Sequence, residues 1–309
     1  MKKYGTILSI FIFYILFCMV LSPSIFIKAS LNGITAWALN VLPSILPFVF
    51  FTKILSSIGT TEKISRIFKK PAKFLFNTPA VSSYTFFASI ISGYPVGAKL
   101  TADLYERGQI KKSDAFKMTS FCSTSGPMFV IGAVGIGMLG NALIGYIIFI
   151  AHIIGALLNG LLYRKLKVKD DDYFKNISLD KQNTSFDLSS IVLDSAISLI
   201  SVGVIIAIFF VVITSLSPLI NLFPSNLSGI ISGLIEITKG CQDISLTLNE
   251  LYCTLASTFV ISFGGLSTAL QSMTMLNKLK MPLWLFLLQK FTHAICATLV
   301  ALMLYFIII

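Results

Sequence analysis

Ser92-Gly93-Tyr94-Pro95, followed after a helical stretch by Ser123-Thr124-Ser125-Gly126-Pro127, is the stretch that decides the fold. A similar pair recurs about 140 residues later: Ser232-Gly233-Leu234, then Ser262-Phe263-Gly264-Gly265. Gly, Pro and Ser thus interrupt hydrophobic runs at matching places in two halves. In a membrane protein that pattern marks a repeat transporter whose broken helices surround a central binding site.

The surrounding composition makes the membrane setting plain. Of 309 residues, 55% are apolar and only 12% charged, about half the charge of a soluble domain. Uncharged runs over 4–27, 29–52, 118–163, 195–235 and 251–277 each exceed the roughly 20 residues a bilayer crossing needs. The net charge of +11 does not indicate nucleic acid, because the basic residues gather in a few loops between apolar segments, which is how membrane topology is encoded. Cys18, Cys122, Cys241, Cys253 and Cys296 lie in or beside apolar segments without metal-ligand spacing and read as small packing residues.

Along the chain, Lys2 and Lys3 precede an apolar run too long for a signal peptide, so 1–30 reads as a retained anchor with one helix over 4–27. A second helix over 34–58 carries Pro43 and Pro47 and is expected to bend. Residues 62–76 mix Lys63, Arg66, Lys69, Lys70 and Lys73 with apolar residues, as in an amphipathic surface helix. Residues 81–91 are too short to span and end at the Gly-Pro tip, and 96–108 return with Lys99, Asp103, Glu106 and Arg107. That is a re-entrant hairpin, tolerated only where it is buried in protein or lines a cavity. A helix from Asp114 breaks at 123–127 and resumes to 139, with Gly132, Gly135, Gly137 and Gly140 set for close helix approach. A span over 141–163 and a polar linker over 165–187 close the first half.

The second half repeats the order: a span over 188–216, a hairpin over 218–240 bending near Pro224, Gly229 and Gly233, a helix over 246–261, the break, its continuation over 266–276, and a span over 282–308. The fold class expected is therefore an all-α polytopic membrane protein of about seven crossings, built from two repeats plus an anchor. The first Gate-like repeat is 31–165, 166–187 is a cytoplasmic linker, and 188–309 is the second repeat. Three crossings per half invert the second repeat relative to the first. With Lys2 and Lys3 inside, the lysine-rich loops all fall inside and the outer loops hold little beyond Lys28 and Lys239, in agreement with the positive-inside rule. The N-terminus is then cytoplasmic and the C-terminus on the opposite side.

No residue pattern suggests an enzyme: there is no phosphate loop, no metal cluster and no expected cofactor. His152 and His293 lie in separate apolar spans without matched carboxylates, and each reads as hydrogen-bonded within the bundle or set in a cavity. A broken helix frees amide N–H groups that attract anions. Candidate substrate contacts are therefore Ser92, Gly93, Ser123, Thr124, Ser125 and Gly126 in the first half, and Ser262, Gly264, Gly265, Ser267, Thr268 and Gln271 in the second. The plain alternative for each break is a glycine packing kink, but packing alone does not require two kinks at equivalent places. Lys99, just past the first tip, either meets an anionic substrate or snorkels to the interface. Glu236 and Lys239 stand as gating or coupling groups able to pair with each other. Asp114 and Lys117 read as a surface pair, and Lys290 as a bundle-facing cation near Gln289 and His293. Neither H+ nor Na+ is singled out as a coupling ion; the expected partners are a small anionic substrate and membrane lipid, and the glycine-rich faces either dock a second copy or are all used within one chain.

Ser92-Gly93-Tyr94-Pro95-Val96-Gly97-Ala98-Lys99, Phe121-Cys122-Ser123-Thr124-Ser125-Gly126-Pro127 and Ile131-Gly132-Ala133-Val134-Gly135 resemble the YlbJ/SpoVV family of sporulation integral membrane proteins. Trp37, Val41-Leu42-Pro43-Ser44-Ile45-Leu46-Pro47-Phe48 and Ile261-Ser262-Phe263-Gly264-Gly265-Leu266-Ser267 extend the match. The family lies in the nucleoside-recognition, or Gate, group, whose architecture resembles concentrative nucleoside transporters. The resemblance implies a carrier in the cell membrane and outer forespore membrane of endospore-forming bacteria, moving dipicolinic acid, a small aromatic dicarboxylate, by alternating access. Two alternatives remain: a nucleoside or purine transporter on the same scaffold, and a non-transporting scaffold of a sporulation complex.

Overall fold

The computed structural model describes residues 2–58, 63, 67, 69–168, 187–247 and 249–309. It is helical, with no strand among the described residues. Helices α1 (Lys2–Leu21) and α2 (Pro23–Ala36) meet at 109°. This corrects the expectation of one helix over 4–27. Pro23 cannot donate to the turn before it, but it suits the first turn of a new helix, so the chain turns there. A π-helical turn, Trp37–Val41, links α2 to α3 (Leu42–Ser57). Of the amphipathic segment expected over 62–76, Lys63, Ile67 and 69–76 are described, and the rest lies outside the described residues. Lys69–Phe76 is helical and turns by 89° into the next helix, α4.

The first hairpin is α4 (Val81–Ser92) and α5 (Val96–Glu106). Its tip is Gly93, at a φ of 74°, a region open to glycine. Helix α6 (Lys112–Phe121) ends at the first break, and Met128–Met138 resumes as an 11-residue π-helical stretch. Helix α7 (Ala142–Tyr163) starts at Asn141, whose side chain accepts from the Leu143 and Ile144 amides, the usual N-cap arrangement. Of the four glycines expected to admit a neighbour, Gly135 does so: a Cβ there would lie 2.5 Å from the Gly145 Cα on α7. Gly132, Gly137 and Gly140 face open space or their own segment.

The second half follows the same element order. It comprises α8 (Leu188–Ile220), α9 (Ser225–Ile235), α10 (Ile237–Ser245), α11 (Glu250–Phe263), α12 (Gly265–Met275) and α13 (Leu283–Ile308). The second tip lies at Glu236, in extended conformation, rather than near Gly229 or Gly233. Those two glycines are instead spent on close packing inside the hairpin: a Cβ on Gly240 would lie 2.1 Å from the Gly233 Cα, and one on Gly229 would lie 3.0 Å from the Ile244 side chain.

Among the described residues four segments are long and apolar enough to cross a bilayer, α7, α8, α11 with α12, and α13, or up to six if each bent pair counts as one span. That is fewer than the seven crossings expected, because α6 and the Met128–Met138 stretch are each too short and α1–α2 is bent. Phe13, Val20, Leu193, Ile197, Met303 and Phe306 are among the exposed apolar residues, a surface suited to lipid rather than water. Inside, α7 and α13 run together, and Gly155 lies so close to Ala297 that a Cβ would come within 2.7 Å. Gly203 on α8 makes a notch filled by the Trp37 ring. At one end of the bundle, Phe76 stacks on Phe121 at 4.1 Å, with Phe86 edge-on to the same ring.

Candidate functional site

Each helix break is seated on the tip of its own hairpin. A Cβ on Gly93 would lie 2.8 Å from the Gly126 amide nitrogen, and one on Gly265 would lie 3.0 Å from the Gly233 carbonyl and 3.2 Å from that of Ile235. Only backbone fits between tip and break, which is why glycine stands at these places. Gly97 is tighter still, with a Cβ position 1.6 Å from the Cys122 carbonyl oxygen.

The two breaks meet at a polar centre. Lys290, on α13, is 2% exposed. Its ammonium donates to the Tyr94 hydroxyl at 2.6 Å and the Ser123 carbonyl at 2.8 Å. Tyr94, at the first tip, donates onward to the Ile261 carbonyl at 3.2 Å. Ser123 follows the end of α6 and Ile261 precedes the end of α11, so one negative helix end holds the cation directly and the other through Tyr94. Lys290 forms no ion pair with a described residue, and an ammonium has three donors. Two are used. Gly264, at a φ of 87°, leaves room for this group: a Cβ there would lie 3.3 Å from Lys290 Cε and 3.4 Å from Tyr94 Cζ.

Two histidines stand beside it, their ring centroids 4.7 Å apart. The Ser125 amide donates to His152 Nε2 at 2.9 Å, so that nitrogen is an acceptor, and Nδ1 carries the proton given to Ser262 Oγ at 2.8 Å. His293 Nε2 donates to the His152 carbonyl at 2.9 Å. His293 Nδ1 is thus left as a buried acceptor without a partner, and the hydroxyls of Ser123 and Ser267 are likewise buried and unpartnered. Native interiors hold few such atoms.

A further polar layer fixes the geometry. Gln289 donates to the Phe116 carbonyl and accepts from Thr119, while Asn159 donates to the carbonyls of Ser120 and Gln289. These bonds tie α6, α7 and α13 at the first break.

The structure thus brings together Ser123, Ser125, Ser262 and Gly264 with Tyr94, His152, Lys290 and His293. Gly93, Gly126 and Gly265 form the tip-to-break contacts. Ser92 is hydrogen-bonded to Thr52 at 2.8 Å, and Thr124 to Ser89 at 3.0 Å. Ser125 spends its amide on His152, so that donor is not free for a ligand; those of Ser123, Thr124 and Gly126 donate to no described residue. Thr268 folds back onto the Gly264 and Gly265 carbonyls, and Gln271 is buried on α12. Lys99 is half-buried on α5, within electrostatic range of Asp103 and Lys53.

Glu236 and Lys239 do bond, but through the Lys239 backbone amide at 2.8 Å, as a helix cap; the Lys239 ammonium pairs with Asp243. Asp114 and Lys117 pair at 3.4 Å with side chains only 16% and 9% exposed, so the pair is largely buried rather than on the surface: Lys117 also reaches the Asn77 carbonyl. The histidine pair and Tyr94 join the site without having been expected there. The Lys290–His293 spacing of three places both on one face of a helix, and that was the available signal.

Among the described residues no cluster of His, Cys, Asp or Glu is arranged to hold a metal ion. The arrangement offers one cation, several hydroxyls and an imidazole acceptor in a water-poor setting. Such a set has the donors and acceptors to hold a polar solute.

Residues 38–142 match the family described as nucleoside recognition, the Gate family. The match covers the first hairpin and first break and ends where α7 begins. The chain is also 27% identical to the sporulation integral membrane protein YlbJ of Bacillus subtilis strain 168, over 88% of its own length and 76% of that protein's. No solved structure matches. The chain is thus an integral membrane protein in which residues 38–142 match the Gate nucleoside-recognition family, and it is similar, along most of its length, to a sporulation membrane protein.

Proposed function

We propose that this protein is a secondary transporter for a small anionic metabolite, with dipicolinate as substrate, working by alternating access across the outer forespore membrane. One observation carries the reading: a lysine held in the bundle by neutral oxygens, with a donor unspent, where both helix breaks meet. An intramembrane charge is costly and marks a substrate path. One carboxylate takes the free Lys290 donor, and the unpartnered Ser123 hydroxyl with the free amides of the first break receive the rest. Ser267, Thr268 and Gln271 line the approach from the second half. Lys99 and Lys53 form a basic mouth on the cytoplasmic side.

The mechanism rests on two units, 31–165 and 188–309, inverted relative to each other, with 1–30 as anchor and 166–187 as linker. One repeat's hairpin and broken helix close one side while displacement of the other repeat's tip from its break opens the opposite side. The Gate match favours a second reading, a nucleoside as substrate. Uptake of labelled dipicolinate and of a labelled nucleoside into liposomes carrying the purified protein separates the two. Dipicolinate flux supports the anion carrier. Nucleoside flux alone transfers the site to the second substrate, and no flux of either leaves a non-transporting scaffold.

A further inference from the structure

A cleft of about 350 Å³ lies between α2, the π-helical turn after it, α8 and α10. It is separate from the polar centre and shares no residue with it. Its volume falls in the range of small-molecule sites, roughly 300–1,000 Å³. Asn32 and Asn40 enter it from one side, and Lys239 and Gln242 from the other. Thr35 and Thr214 add hydroxyls, while Phe210 and Ala36 supply an apolar wall.

The side-chain amides of Asn32, Asn40 and Gln242 make no hydrogen bond to a described residue. Asn32 is exposed and Asn40 and Gln242 are part-exposed, so their amides are open to a polar solute entering the cleft. Lys239 gives one donor to Asp243, leaving two of three. The Asp243 carboxylate is held on the Lys239 ammonium at the edge of the cleft and offsets part of its charge, so the uncommitted amides supply most of the donors. Donors on two sides and an apolar wall suit a small planar carboxylate, whose ring lies against the wall while its oxygens take the amides and the ammonium.

The cleft is linked to the second break through one element. Lys239 and Gln242 lie on α10, which starts at the second tip, and Gly265 packs against the backbone of that tip. A ligand in the cleft therefore bears on the hairpin that seats the break.

We propose that this cleft is a second binding site for the same class of small aromatic carboxylate, placed in series with the polar centre. The proposal rests on the anion-carrier reading for its ligand. The cleft is open, so its ligand keeps part of its hydration and binds more weakly than at Lys290.

Equilibrium dialysis of labelled dipicolinate against the purified full chain counts the sites. The wild type is expected to bind two molecules, and the Asn40→Ala/Gln242→Ala double variant one, at the tighter site. These two amides have no protein partner among the described residues, so the fold is retained. Two molecules bound by wild type and double variant alike overturn the proposal. One molecule, lost in Lys290→Met but kept in the double variant, overturns the cleft and leaves the anion-carrier reading standing. One molecule lost in the double variant but kept in Lys290→Met supports the cleft and removes the central site. No binding overturns both.

Discussion

Replacing Lys290 with methionine separates a binding role from a structural one. Methionine keeps the unbranched stem and removes the charge. Tyr94 keeps its own donation to the Ile261 carbonyl but its oxygen loses the lysine as donor, and the Ser123 carbonyl is left with none. An orphaned buried acceptor costs about 1–3 kcal/mol. Against this, removal of a buried charge in favour of an apolar group is often neutral or stabilising by about 1–4 kcal/mol. The two effects oppose, and net stability is expected to lie between about 2 kcal/mol below and about 3 kcal/mol above wild type, a shift of several degrees in the unfolding midpoint. Substrate, by contrast, loses a hydrogen bond to a charged group worth about 1.5–3 kcal/mol, or about 10- to 150-fold in apparent affinity. Thermal unfolding in detergent and uptake against substrate concentration measure the two quantities on one preparation. Unchanged uptake at unchanged stability refutes the site. A collapse in stability with unaltered kinetics in the folded fraction shows instead that Lys290 serves to seal the end of α6.

Three further outcomes rest on the packing. Ser262→Ala removes the acceptor of His152 Nδ1–H and is expected to lower stability by about 1–3 kcal/mol, with Ser262→Thr close to wild type in the same unfolding assay. Gly97→Ala puts a methyl 1.6 Å from a carbonyl oxygen, forcing a backbone shift of the kind that costs at least about 1–3 kcal/mol; its expression and uptake fall, whereas Gly132→Ala, whose nearest neighbour is 3.9 Å away, is tolerated, and equal behaviour of the two contradicts the hairpin packing. Lys278→Gln breaks a pair whose side chains are 68% and 33% exposed, so the unfolding midpoint changes by the equivalent of less than about 1 kcal/mol.

The interruptions were legible in the sequence because glycine, proline and serine act locally: the tip at Gly93 and the breaks at 123–127 and 262–265 stand where their residue types put them. Membrane character was equally legible from composition. The turn at Pro23 was not, because a proline early in an apolar run opens a new helix as readily as it kinks an old one. The π-helical stretches at Trp37–Val41 and Met128–Met138 leave the apolar pattern intact, so hydropathy does not report them. The polar centre was half legible. Its serines and glycines are neighbours of the breaks, but the meeting of His152 with His293, 141 residues away, is fixed by how α7 and α13 pack. Lys290 was legible as a bundle-facing cation; that it holds the Ser123 carbonyl was not.

The contacts between Gly93 and Gly126, and between Gly265 and the second tip, have a mechanical consequence. Side-chain interfaces yield gradually, because long side chains accompany a moving partner through new rotamers. Bare backbone has no such slack, and attraction between close-packed atoms fades within about an ångström. Each tip is therefore either docked on its break or clear of it, with little between. The oxygens, amides and ammonium gathered at the breaks are assembled or dispersed as sets, and the glycines make that change a click rather than a slide.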